Sequence, residues 1–301
     1  MNMPAALCPL PDLGILRLRG PDARRFLQGQ LSNDLGRLTP GGVLRAGLHN
    51  AQGRTLALLA LLALGEDDLG AVLPLELIPD VAALLRRYVL RSRVSISDES
   101  AGQRVYGLVA AMDGAVPDGA ARLDATRCLW VQPAASVAPP GAEMAREQWR
   151  ALDVAAGLPQ VYRATSGQFV AQMLNLDCID AISFSKGCYT GQEVIARAHY
   201  RGRVKRRLQR FAAPAAPALG AGDVVQLADG RAARVIEAVR RTDGGCEFLA
   251  VAALPGAEPD PAAAADGAEA APADNTGALQ LHPGAVQLNT SALPLPYPLP
   301  A

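Results

Sequence analysis

Lys186-Gly187-Cys188-Tyr189-Thr190-Gly191-Gln192-Glu193 gathers a cation, a thiol, a phenol, an amide and a carboxylate around two glycines. Glycine lets the backbone turn sharply or come close to a ligand, so Gly187 and Gly191 would shape a loop whose polar side chains converge on one spot. An ammonium beside a thiol favours the thiolate, the nucleophilic form. Cys188 therefore reads as a redox or transfer centre with Lys186 as its electrostatic activator. A lone cysteine is more often an inert small hydrophobe in a tight turn, but the polar density around this one favours chemistry. Tyr189, Gln192 and Glu193 would fix a ligand or the thiol.

The segment 197–210 adds seven cations and no acid, with Tyr200 as a ring for stacking. Such density suits an anionic ligand or the phosphates of RNA; the structural alternative is a solvated strand pair that happens to carry arginine. Over the whole chain 29 basic and 29 acidic residues cancel, so the molecule has no bulk attraction to nucleic acid or an anionic membrane. Cys8, Cys128, Cys178, Cys188 and Cys246 are scattered without paired spacing, which argues against a disulfide framework or a resident cluster. His49, His199 and His282 lie far apart, and no metal site is expected. The apolar run 56–64 is too short to span a bilayer and the first twenty residues lack a basic start, so a soluble cytoplasmic protein is expected.

The elements that must position these groups are legible in part. A strand over 16–19 precedes a helix opened by Gly20-Pro21; strand-like stretches over 44–64 are broken by Asn50-Ala51-Gln52-Gly53 into a hairpin. A helix begins at Pro79-Asp80, with Val81, Leu84, Leu85 and Tyr88 on one face and Arg86 and Arg87 turned outward. Strands follow at 94–97, 105–110 and 128–131. An alanine- and proline-rich linker spans 133–141, then a helix 143–156 closes at Gly157 and Pro159. Short strands at 224–227, 233–239 and 247–252 suggest a small antiparallel barrel. The segment 255–277 holds almost no large apolar residue and reads as a disordered loop. Helices mixed with antiparallel strands define an α+β class.

The thiol segment with its flanks, Ser166-Gly167-Gln168-Phe169, Ile182-Ser183-Phe184-Ser185 and Val194-Ile195-Ala196-Arg197-Ala198, resembles the signature of the YgfZ family, folate-binding proteins related to the glycine-cleavage T-protein. The run 20–34, Gly20-Pro21-Asp22-Ala23-Arg24-Arg25-Phe26-Leu27-Gln28-Gly29-Gln30-Leu31-Ser32-Asn33-Asp34, is similar to the opening shared by both groups, and Leu295-Pro296-Tyr297 to the close of bacterial YgfZ chains.

The resemblance implies a T-protein-like arrangement of three domains around a central opening: residues 1–45 with 145–205, an inserted 46–144, and a C-terminal barrel at 206–301. It implies tetrahydrofolate, or a one-carbon derivative, as ligand. A folate is a flat pterin, a benzoyl ring and an anionic glutamate tail, so its pocket wants aromatic walls, an amide or carboxylate, and a cation. Trp149 matches a tryptophan that the family associates with folate; the family's second tryptophan falls at Leu13, a departure. Arg197 and Arg203 could meet the tail. The T-protein's catalytic carboxylates are absent, Leu56 and Ala57 standing in Gly53-Arg54-Thr55-Leu56-Ala57-Leu58, which disfavours an aminomethyltransferase. By the same resemblance the chain supports assembly or repair of iron–sulfur clusters in client enzymes, such as a tRNA methylthiolating enzyme, and through them tRNA modification. A one-carbon transferase and a direct tRNA-binding module are the rival readings, and direct nucleic-acid binding is the less favoured.

Overall fold

The computed structural model describes residues 6–109, 117–137, 142–202, 204–256 and 286–300. Contacts divide the chain into two compact units. One comprises Met1–Ala51, Leu56–Trp149 and Asp180–Gln192, and the other Gln52–Thr55, Arg150–Ile179 and Glu193–Ala301.

The first unit holds β1 (Ala6–Pro9), β2 (Leu13–Arg19), α1 (Ala23–Gln28), β3 (Val43–His49), most of β4 (Thr55–Gly65), β5 (Asp68–Pro74), α2 (Ile78–Arg87), β6 (Ser95–Asp98), β7 (Gln103–Val109), β8 (Ala120–Arg122), β9 (Arg127–Pro133), β10 (Ala142–Glu143) and the start of α3 (Arg146–Ala155). Its strands form two five-stranded sheets, ordered β3-β4-β5-β2-β6 and β10-β1-β7-β9-β8. Both sheets feed one core: Cys8, Val105 and Leu129 from the second pack with Ile15, Leu62 and Val72 from the first, together with Trp149. Burying each large side chain there contributes about 1.5–3 kcal/mol, more than a strand's own propensity supplies. β4 reads as a continuous apolar run because successive residues, Ala57, Leu58 and Leu59, are all buried.

The second unit holds the rest of α3, all but the first residue of α4 (Gln192–Arg201), and β11 (Arg206–Ala213), β12 (Val224–Gln226), β13 (Ala232–Arg240), β14 (Cys246–Ala253), β15 (Val286–Gln287) and β16 (Ser291–Leu293). These strands make one sheet, ordered β15-β12-β13-β14-β11-β16. Phe211 and Phe248 stack at 5.5 Å between centroids in its core. The pairing is antiparallel except for β12 with β15, and no ladder joins the two edge strands among the described residues. A bulge in β13 between Val235 and Glu237 accompanies a buried carboxylate, which accepts from Arg150 and, at 2.5 Å, from the Tyr162 hydroxyl.

Several expected boundaries move. The α3 helix starts at Arg146, because Ala142–Glu143 is drawn into a parallel pairing with β1. The α1 helix starts at Ala23, so Pro21 precedes its N-cap, Asp22. Tyr88, expected on the buried face of α2, is its C-cap and 46% exposed. Residues 257–285, which contain most of the expected disordered loop, lie outside the described residues, as does Arg203. Among the described residues no helix is long and apolar enough to cross a membrane.

Candidate functional site

The segment Asp180–Gln192 belongs to the first unit and is tied there by the N-terminal run that ends at Asp34. Asn33 Nδ2 donates to Asp180 O at 2.7 Å and to Arg45 O at 2.8 Å. Ser32 Oγ donates to Ala181 O and accepts from Gly47 N, both at 2.8 Å, while Ser183 N donates to Ser32 O at 2.9 Å. Arg37 grips the Asp180 carboxylate through both terminal nitrogens, at 2.8 and 2.5 Å. Buried Ser32 and Asn33 thus complete their hydrogen bonds only when the segment around residue 180 arrives to accept from them.

Lys186 reaches into this framework. Its ammonium donates to the carbonyls of Gln28 and, at 2.6 Å, Leu31, and stands 5.0 Å from the centroid of the Tyr189 ring. Burial pushes its pKa down to about 8, the Asp34 carboxylate opposing the shift. Asp34 in turn accepts from Gly36 N at 2.9 Å and from Gln28 Nε2 at 3.1 Å. The recorded partners of the ammonium are carbonyls and a ring, so any influence on Cys188 is that of a field through space. Cys188 itself is a free, exposed thiol, whereas Cys8, Cys128 and Cys246 are buried. Burial also pushes the partly buried Cys178 thiol up to about 11, which leaves it inert at neutral pH.

Tyr189 is buried and its phenol is pushed up to about 12 by that burial, so it acts as a neutral group. Its ring centroid is 6.2 Å from that of His49, a residue the sequence did not single out for this site. His49 is 1% exposed and neither ring nitrogen has a hydrogen-bond partner among the described residues. Burial drives its pKa down to about 3, leaving a neutral imidazole. A Cβ at Gly47 would stand 2.4 Å from His49 Nε2, so glycine there makes room for the ring.

The two glycines of the loop differ. Gly191 has φ of +82°, a conformation that side chains rarely adopt; Gly187 has no such angle and open space where a Cβ would sit. Gln192 begins α4, its N donating to Tyr189 O at 3.2 Å. Glu193, in the first turn of α4, and Arg197 are both exposed and belong to the second unit. The basic run is divided by the fold. Arg207 is buried and paired through both terminal nitrogens with Asp177 at 3.0 Å, and Arg210 pairs with Glu247 at 2.6 Å. These acids lie 30 and 37 residues away in sequence.

Leu13 and Trp149 meet in one hydrophobic cluster. Trp149 is 4% exposed and stands in contact range of Gly107, with the Arg127 guanidinium 5.2 Å over its ring. It is a packed residue behind the surface and not an open wall. Leu13 lines a cavity of about 610 Å³ together with Leu75, Tyr106, Gln103, Arg104 and Glu143. That volume lies in the range of small-molecule sites, and the lining joins apolar walls to an amide, a cation and a carboxylate. The sequence did not single out Gln103, Arg104 or Glu143. They lie on strands β7 and β10, and only the pairing of both with β1 brings them together.

No family model matches the chain. Among curated proteins it is 33% identical over 275 residues to "tRNA-modifying protein YgfZ" of Klebsiella pneumoniae (strain 342), covering 81% of this chain and 84% of that protein. It is 34% identical over 254 residues to the protein of the same name from Pectobacterium atrosepticum, covering 75% and 76%. Among solved structures, the glycine cleavage system aminomethyltransferase T from Bartonella henselae matches with a TM-score of 0.62 at 13% identity, covering 83% of this chain and 79% of that one. The mixed α/β fold with several sheets therefore resembles that of an aminomethyltransferase T-protein.

Proposed function

Since the chain belongs to the family of tRNA-modifying YgfZ proteins, we propose that it binds a folate, tetrahydrofolate or a one-carbon derivative, and serves tRNA modification by supporting iron–sulfur clusters in client enzymes. The observation that carries the folate reading is the cavity beside Leu13. Its donor set suits the ligand: Leu13 and Tyr106 offer apolar wall to a pterin or benzoyl ring, Gln103 and Glu143 can meet the hydrogen-bonding edge of a pterin, and Arg104 supplies a cation for a glutamate tail. Trp149, packed behind Leu13, stiffens that wall.

Cys188 is the chemical group of this reading, an exposed thiol on a loop that the N-terminal segment holds in place. Lys186 would favour its thiolate, and Tyr189 and Gln192 would fix the loop. Glu193 remains a candidate to fix the ligand or the thiol, and Arg197 and Arg203 remain candidate contacts to an anionic tail. Ala57 lies fully buried in β4 and Leu56 precedes it, so that strand offers no carboxylate for aminomethyl transfer. The same reading keeps the domain division expected from sequence, 1–45 with 145–205, 46–144 and 206–301, with the last closing as a barrel.

Titration of the full chain with tetrahydrofolate, followed by calorimetry, tests the cavity. Arg104→Ala should weaken binding, most for polyglutamated forms. Leu13→Trp should tighten it by about 2- to 12-fold, the ~0.5–1.5 kcal/mol that an added ring contact contributes. Absence of binding, or binding unchanged by both substitutions, would refute the assignment.

A further inference from the structure

The end of α2 and the turn after it carry Arg86, Arg87, Arg91 and Arg93 within eight residues, with no acid between them. All four are exposed, and between them Leu90 is 85% and Tyr88 46% exposed. An apolar side chain that far into water on a cationic turn has no role in the fold's own packing.

The turn is built to hold its shape. Tyr88 N donates to Leu85 O at 3.0 Å and Val89 N to Arg86 O at 3.1 Å, closing the helix; Val94 N donates to Ser92 O at 3.0 Å. Its far end is fixed to the N-terminal run, Arg93 N donating to Asp22 Oδ2 at 2.8 Å. A Cβ at Gly20 would lie 2.2 Å from Arg93 O, so the strand–helix junction packs directly beneath the turn. Asp22 is committed to that backbone donor and to Arg25 and Arg93, whose side chains remain 80% and 77% exposed. Arg86 spends one edge on Ile96 O, at 2.9 Å from Nη2. Arg87 and Arg91 bracket Tyr88 and Leu90 in sequence, and Arg25 and Arg93 meet at Asp22 at the base of the turn. A neighbouring acidic turn, at Glu66 and Asp67, reaches Gly20 through the Asp67 carbonyl, and Asp80 lies at the opposite end of α2.

We infer that this turn is a docking surface for RNA, the arginines taking backbone phosphates while Tyr88 and Leu90 lie against unpaired bases. Guanidinium groups spaced around exposed apolar and aromatic side chains match the alternation of phosphate and base along an unpaired strand or loop. The net charge of zero means that attraction must come from such a local patch. The surface is separate from the proposed folate cavity, so the two assignments can fail independently.

Binding of unmodified tRNA to the full chain, measured by fluorescence anisotropy across salt, tests it. With about four phosphates engaged, raising salt from about 50 to about 200 mM should weaken binding roughly 50-fold; Arg87→Ala with Arg91→Ala should reduce that ratio to about 7-fold. Tyr88→Ala with Leu90→Ser should weaken binding at every salt concentration without changing the slope. Thermal unfolding and tetrahydrofolate affinity should be unaltered in both double variants, which separates a lost contact from a lost fold. Absence of tRNA binding, or binding with an unchanged slope in the arginine variant, would overturn the proposal and leave the surface to an acidic protein partner.

Discussion

Acidification should expose the cost of His49, and His49→Leu isolates it. In the fold the imidazole is fully buried and its pKa is driven from an ordinary 6.5 to about 3 by that burial. The unfolded chain takes up a proton at this ring below about 6.5, whereas the folded chain does not until about 3. The unfolded state binds more protons across this window, so stability falls as pH falls. At pH 5 the loss is about 2 kcal/mol, one and a half pH units at ~1.4 kcal/mol each. At pH 7 the variant should lie within about 1 kcal/mol of the native protein, since removing two unpartnered ring nitrogens offsets the poorer fit of a branched side chain in a ring-shaped site. Both tryptophans, Trp130 and Trp149, lie in the same unit as His49, so urea unfolding followed by tryptophan fluorescence reports on the right part of the chain. The native protein should lose about 2 kcal/mol more than His49→Leu between pH 7 and 5. An equal loss in the two would refute the reasoning, because the ring would then be protonated or hydrated within the fold.

Cys188→Ala should leave the unfolding curve unchanged and abolish complementation of a strain lacking the protein, while Cys178→Ala complements normally; full activity of Cys188→Ala would remove the thiol from the function. If Lys186 acts on Cys188 through its field, Lys186→Ala should slow alkylation of Cys188, and an unchanged rate would leave the lysine a purely structural role. Gly191→Ala should destabilise by about 1–2 kcal/mol because of its positive φ, and Gly187→Ala should be nearly neutral, as measured by urea unfolding. Arg207→Met should cost about 3–5 kcal/mol by stranding the buried Asp177 carboxylate, and adding Asp177→Leu should recover much of it in thermal unfolding.

The local pattern was enough where a residue's neighbours in sequence are also its neighbours in space. The hairpin of β3 and β4 followed from apolar runs around Asn50 to Gly53, and α2 from its periodicity and Pro79. The strands β12, β13 and β14 followed from glycine turns. What failed depended on distant partners. Arg207 looked like part of a continuous cationic surface, and Asp177 turns it into a buried pair. Ala142–Glu143 looked like helix until β1 paired with it. Tyr88 fits the apolar period of α2, yet the helix ends one residue earlier. At the site, the thiol loop announced itself by composition and Leu13 by resemblance, whereas His49, Gln103, Arg104 and Glu143 carry no local signature. Their roles arise from strand pairing and burial.

The hydrogen bonds from Ser32 and Asn33 to Ala181 and Asp180 join residues 149 and 147 positions apart. A chain emerging from the ribosome therefore carries these donors without their acceptors at Asp180 and Ala181, exposed to water, until the stretch beyond residue 180 has cleared the exit tunnel. The thiol loop closes the first unit as a late-arriving latch, so the exposed Cys188 is set in place only once that unit has been made whole. At translation rates of about 5–20 residues per second, those donors wait roughly 7–30 seconds, an interval in which the early strands depend on shielding from other unfolded chains. A premature stop before Asp180 would then yield a chain that lacks the cysteine and also the means to finish the fold that should hold it.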